Sequence, residues 1–105
     1  MVKVVWTDSA IQDLDDIGDH IAKDSKRYAQ LTVERLFVSV EILKNFPRAG
    51  KMVPEFEDEL LREIIIGSYR IVYYLVDKYR IDIITVHNCA RLIGNTFNFS
   101  DDADA

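Results

Sequence analysis

The feature of this 105-residue chain that most constrains its fold is a change of pattern near residue 60. Before this point, apolar residues recur at the three- and four-residue spacing of amphipathic helices. After it, short runs rich in β-branched and aromatic residues follow one another, separated by two-residue links of the length used in tight hairpins. The second half therefore predicts three antiparallel strands, at Leu61–Ile66, Tyr69–Asp77 and Arg80–Asn88.

The first half predicts a strand followed by two helices. Residues 1–6 alternate like a strand, and Thr7 or Asp8 can cap a first helix, while Ser25 can cap a second that ends before Pro47. The two helices should form an antiparallel hairpin, and residues 48–59 an exposed connection. The predicted class is thus α+β: an N-terminal strand, an antiparallel helical hairpin and a three-stranded antiparallel meander in one small sheet.

Length and composition limit the class of protein. We expect residues 1–98 to form a single domain and residues 99–105 an acidic, disordered tail. No apolar run approaches the roughly 20 residues of a membrane span, and no signal segment is evident, so we expect a cytoplasmic protein without a membrane partner. The lone Cys89 excludes a disulfide framework and a multi-cysteine metal site, and we expect no metal or cofactor. A net charge of -5 disfavours a protein that grips nucleic acid with its whole surface.

A series of short motifs occurs in order along the chain. They are Trp6 before a helix with Ala10, Asp13-Leu14 and Ile17, then Phe46-Pro47-Arg48-Ala49-Gly50, Val53-Pro54-Glu55, Leu61-Arg62-Glu63, Tyr69-Arg70-Ile71-Val72-Tyr73, and Val86-His87 with Arg91. With the order of the elements, they resemble the RelE/ParE toxin superfamily over residues 2–95. The resemblance implies the toxin of a type II toxin-antitoxin system, of the plasmid-stabilisation kind, held inactive in a hetero-oligomer with a cognate antitoxin.

Members of this superfamily act in two ways: RelE-like toxins cut messenger RNA on the ribosome, and ParE-like toxins poison DNA gyrase. A RelE-type site needs a crowded positive pocket to stabilise phosphate charge. Here the central arginine is Arg70, but the lysine positions of the preceding strand align with Leu61 and Glu63, the basic residue after the last strand with Cys89, and the C-terminal tyrosine with Asn95.

Only Arg70 and Arg91 remain of that cationic set, which, with the net acidity, favours a ParE-like gyrase inhibitor that arrests growth by protein contact without chemistry of its own. One alternative is a RelE-like, metal-independent endonuclease acting on ribosome and mRNA, in which Arg70 stabilises the phosphate and His87 handles protons. Another is an inactive homologue kept as a binding module.

Strand register brings the candidate residues together. With two-residue turns, Arg70 lies opposite Ile65 on one side and His87 on the other, with Glu63 as its diagonal neighbour. We expect Arg70 to bind the target together with Arg91, and Glu63 to support Arg70 through an ion pair. An ordinary cross-strand ion pair is the alternative for Glu63, and a structural histidine the alternative for His87.

The same register assigns a face to each strand residue. The face away from Arg70 should pack on the helices, with Ile64, Ile66, Ile71, Tyr73, Leu75, Ile84 and Val86. The Arg70 face should carry Glu63, Thr85 and His87 together with Val72, Tyr74, Val76, Ile81 and Ile83. This second face is too apolar to be left to water, so we expect it to be covered by the C-terminal segment with Phe97 and Phe99 or by an antitoxin helix.

Overall fold

The computed structural model describes residues 1–89. Along the chain it contains β1 (Lys3–Trp6), α1 (Asp8–Ala22), α2 (Lys26–Ser39) continued by a 3-10 segment (Val40–Lys44), β2 (Lys51–Met52), β3 (Leu61–Ile66), β4 (Tyr69–Asp77) and β5 (Arg80–Asn88). The sheet order is β1-β5-β4-β3-β2, with β1 parallel to β5 and the other neighbours antiparallel. The predicted α+β fold is confirmed, and the expectations for Arg91, Asn95, Phe97, Phe99 and the tail lie outside the described residues.

Both helices begin at the predicted caps. The Thr7 hydroxyl accepts a hydrogen bond from the Ala10 backbone N–H at 3.2 Å, and the Ser25 hydroxyl accepts one from Tyr28 N–H at 3.1 Å. Thr7 also donates to the Ile83 carbonyl at 2.7 Å, which ties the start of α1 to β5. No helix within residues 1–89 is long and apolar enough to cross a membrane.

Helix α1 also completes the edge of β5. Strand β1 pairs with β5 as far as Ile83. Beyond that residue, the Asp13 carboxylate of α1 accepts hydrogen bonds from β5 instead. Its Oδ2 accepts from the Val86 backbone N–H at 2.9 Å and from the Thr85 hydroxyl at 2.7 Å. An otherwise unpaired strand donor is thereby satisfied, which fixes the end of β5 that carries His87.

The sheet has two strands more than the predicted meander. Strand β1 joins it beside β5, and β2 forms within the predicted exposed connection, where Lys51 pairs with Glu63. The fully buried Tyr73 holds β2 in place, because its hydroxyl accepts from Gly50 N–H at 2.9 Å and donates to the Pro47 carbonyl at 2.8 Å. A Cβ at Gly50 would lie 2.5 Å from the Glu63 carbonyl oxygen, so this close approach requires glycine.

Both predicted turns are confirmed, because Ile66 pairs with Tyr69 and Asp77 with Arg80. The predicted core face is correct on β3 and β4 but wrong for three residues of β5. The register shifts twice: Val76 is skipped between the Asp77–Arg80 and Leu75–Ile81 pairs, and Ile84 is skipped between the Tyr73–Ile83 and Val72–Thr85 pairs. Ile81 and Ile83 therefore turn into the core with no exposed surface, while Ile84, expected in the core, is 37% exposed.

Candidate functional site

The candidate site is built on three neighbouring strands at the sheet centre. Arg70 lies near the start of β4, directly between Ile65 of β3 and His87 of β5, as the register predicts. Successive side chains of a strand point to opposite faces of the sheet. Because Ile71 points into the core, Arg70 lies on the face away from the helices. The Arg70 side chain is 19% exposed, which leaves its guanidinium reachable from the surface.

Two carboxylates hold the Arg70 guanidinium. Its Nη1 and Nη2 donate to Oε2 and Oε1 of Glu55 at 2.9 Å each, and its Nε contacts the carboxylate of Glu63. Glu63 is 4% exposed and also contacts the Lys51 Nζ at 3.5 Å. Arg70, Glu55, Glu63 and Lys51 are called the Arg70 cluster below. The contact between Arg70 and Glu63 is the diagonal ion pair that the register indicates.

Glu55 and Lys51 are members of this cluster that were not predicted as site residues. Glu55 belongs to the irregular connection between β2 and β3, where no strand register can be counted. Lys51 reaches Glu63 because β2 forms, and a two-residue strand has no periodic pattern. The signal that was available is the motif Val53-Pro54-Glu55, which places a carboxylate at a fixed distance before the strand of Glu63.

His87 shares the Arg70 face but makes a different contact. Its side chain is exposed, and its Nε2 lies 3.4 Å from the hydroxyl of Thr85, which itself donates to Asp13. Arg91 lies outside the described residues.

Cys89 is half-buried beside the cluster, and burial raises the pKa of its thiol, so the thiolate form that reactive cysteines need is disfavoured.

The charges of the cluster reinforce one another. The hydrogen bonds from Arg70 lower the pKa of the Glu55 carboxyl, and the carboxylate of Glu55 in turn raises the pKa of Arg70. These shifts keep both Glu55 and Arg70 charged at neutral pH, and the arginine has little free capacity for a further anion. Within residues 1–89, no three side chains of His, Cys, Asp or Glu are grouped in a way that could hold a metal ion.

The Glu55 carboxyl should titrate below the ordinary glutamate pKa of 4.5. Because the folded-state pKa is lowered, the stability that the pair contributes is present above the unfolded-state pKa and is lost as pH falls through the folded-state value. We expect a carboxyl 13C NMR titration of Glu55 to show this lowered midpoint, and the Arg70→Ala variant to move it upward. An unchanged midpoint in that variant would contradict the assigned pair.

Comparison with known proteins shows the family of the chain. The family model for the ParE toxin of the type II toxin-antitoxin system parDE matches residues 4–93 of this chain. Toxin RelE2 of Caulobacter vibrioides is 33% identical over 92 residues, which cover 88% of this chain and 100% of that toxin.

Solved structures of toxin-antitoxin systems share the fold. The chromosomal ParDE TA system from P. aeruginosa has a TM-score of 0.70 at 23% identity, covering 84% of this chain and 96% of that one. The toxin-antitoxin complex RelBE2 from Mycobacterium tuberculosis has a TM-score of 0.52 at 22% identity, covering 83% and 96%. Since the family match spans nearly all of the described residues, the chain belongs to the ParE toxin family of type II toxin-antitoxin systems.

Proposed function

We propose that this toxin is ParE-like in action: it poisons DNA gyrase by protein contact and performs no chemistry of its own. The observation that carries the proposal is the pairing of Arg70 with both Glu55 and Glu63. An RNA-cleaving site must stabilise negative charge that develops on phosphate, which requires cations in excess of local carboxylates. In the Arg70 cluster two carboxylates offset two cations, and the chain as a whole has a net charge of -5.

The partner that restrains the toxin is, in this proposal, a cognate antitoxin bound in a hetero-oligomer. Two observations support it. The similar solved structures are described as a ParDE TA system and as the toxin-antitoxin complex RelBE2. The described surface also exposes several large apolar side chains, which a partner protein would cover.

The gyrase proposal is tested by incubating the purified toxin with DNA gyrase and supercoiled plasmid. We expect cleaved plasmid to accumulate after detergent and protease treatment, because a poison traps the covalent enzyme-DNA intermediate. Adding the antitoxin should abolish the effect, and the toxin alone should leave the plasmid intact. Absence of trapped cleavage at concentrations that arrest growth would rule out gyrase as the target.

A RelE-like endonuclease remains the second candidate, and one observation favours it. The backbone pair between Arg70 and His87 brings a cation and a titratable ring to one sheet face, which are groups that phosphate cleavage uses. Toe-printing of a translated message decides between the two, since an endonuclease creates new 3' ends in the ribosomal A site. A toxin that shows neither activity and does not arrest growth would be an inactive binding homologue.

A further inference from the structure

The Arg70 guanidinium is already occupied in the geometry that a phosphate group would use. Its two terminal nitrogens donate to the two carboxylate oxygens of Glu55, at 2.9 Å each. Arginine binds carboxylate and phosphate through this same two-pronged arrangement, so the two anions compete for one position. Glu55 therefore lies where a phosphate bound to Arg70 would have to lie.

The two carboxylates of the cluster differ in how firmly they are placed. Glu63 lies within β3, is 4% exposed and contacts both Arg70 and Lys51. Glu55 lies outside the strands and is 57% exposed, and exposed ion pairs are individually weak. Because it is tethered near Arg70, however, its effective concentration is on the order of millimolar or higher, which a dissolved anion has to exceed. Glu55 is thus a removable but effective competitor.

The net charge of the Arg70 cluster also depends on the carboxylate of Glu55. With Glu55 present, the two carboxylates offset the charges of Arg70 and Lys51. Without its charge, two cations face Glu63 alone, and the terminal nitrogens of Arg70 lose their acceptors. Both changes favour an incoming oxyanion, because the local potential becomes positive and donors become free.

We propose that Glu55 is a specificity-determining residue that closes the Arg70 site to phosphate groups and so reserves this arginine for contact with a protein surface. The inference rests on the proposed function in one respect, namely that Arg70 lies within the surface that contacts the target. The exclusion of phosphate follows from the geometry of the pair alone. Neutralising Glu55 converts the Arg70 cluster into a site for phosphate and pyrophosphate.

The test compares binding of inorganic pyrophosphate to the full chain and its variants at low ionic strength, followed by NMR of the Arg70 Nε–H signal. Glu55→Gln should bind at least about tenfold more tightly than the unmodified protein, because a neutral amide competes poorly with an anion for guanidinium. Glu57→Gln is the matched control, since it removes the same charge two residues away in the same exposed connection. Glu57→Gln should bind pyrophosphate as weakly as the unmodified protein. The double variant Glu55→Gln/Arg70→Ala should lose the gain in affinity, which backbone amide shifts measure in the absence of the Arg70 signal.

Equal affinity of Glu55→Gln and the unmodified protein would overturn the proposal. So would an equal gain in Glu57→Gln, which would indicate a general charge effect, or a gain that survives Arg70→Ala. If circular dichroism shows that Glu55→Gln is unfolded, Glu55→Asp takes its place: the shorter carboxylate keeps the charge but pairs less well, so its affinity should exceed that of the unmodified protein. The assay contains neither gyrase nor antitoxin, so its outcome is independent of the gyrase experiment.

Discussion

Replacing Arg70 with alanine is expected to abolish or strongly weaken growth arrest while the protein still folds. The side chain lies on the sheet face away from the helical core, so its removal leaves core packing unchanged. If Arg70 is a central contact for gyrase, its loss should cost about 2 kcal/mol or more of binding energy, equivalent to roughly a thirtyfold loss of affinity. Under the endonuclease alternative the loss would come from an uncompensated transition-state charge instead.

One structural consequence of this change needs its own control. Glu63 is 4% exposed, and in Arg70→Ala it keeps Lys51 but loses its contact with the Arg70 Nε. A buried carboxylate with fewer partners destabilises the fold. The double variant Arg70→Ala/Glu63→Gln removes that charge, so it should recover stability in urea unfolding without recovering toxicity. Recovered toxicity in the double variant would show that the first effect was one of folding.

Two further substitutions separate the mechanisms. His87→Ala should be mild if the toxin acts by protein contact, since its ring is exposed and contacts Thr85. It should be severe if His87 handles protons in RNA cleavage. Arg91→Ala should matter more under the ParE-like mechanism, because Arg91 is expected to bind the target together with Arg70. A folded and fully toxic Arg70→Ala variant would leave Arg70 as a salt-bridged strand residue without a role in either scheme.

The strand pairing around Arg70 could be predicted because it follows from counting. Two-residue turns fix which residues face each other, so Arg70 and Ile65 are found where the sequence indicates. His87 also lies opposite Arg70, because the two register shifts between β4 and β5 cancel. The two register shifts, at Val76 and Ile84, could not be counted in the same way, because a run of apolar β-branched residues fits either face of a sheet. The extra residue at Val76 in β4 turns Ile81 and Ile83 into the core, and the extra residue at Ile84 in β5 restores the register counted from the turn.

Glu55 and Lys51, the two members of the Arg70 cluster that the sequence did not predict, were missed for a different reason. Glu55 lies 15 residues before Arg70, in the irregular connection between β2 and β3, and β2 is fixed by Tyr73 through Gly50 and Pro47. These are tertiary contacts between segments that have no periodic pattern of their own. The sequence therefore predicts where the arginine lies and its pair with Glu63, but not the second carboxylate, Glu55, on which the proposal of a gyrase inhibitor also rests.

The apolar surface that an antitoxin would cover differs from the one that the sequence predicts. From the sequence, the exposed apolar surface was expected around Val72, Tyr74 and Ile83, but Val72 is 7% exposed and Ile83 is fully buried. Exposed apolar side chains instead form a stripe along α2 and the segment after it, at helical spacing. Its members, each at least half exposed, are Tyr28, Leu31, Val38 and Ile42. A chain of this size buries a modest share of its surface, so a partner that covers apolar side chains should add substantially to its stability.

We therefore expect the cognate antitoxin to raise the melting temperature of the toxin markedly. At an antitoxin concentration a thousandfold above Kd, mass action stabilises the folded toxin by about 4 kcal/mol, and a domain of this size gains about 4–8 °C per kcal/mol, so the shift should exceed about 15 °C. Differential scanning calorimetry of toxin alone and in complex measures it, with an antitoxin of another family as the control. Burial of apolar surface should also give the binding a negative heat-capacity change in calorimetry, and the free toxin should self-associate more than the complex in sedimentation velocity. A melting temperature that is the same with and without bound antitoxin would mean that the exposed stripe contributes nothing to the complex.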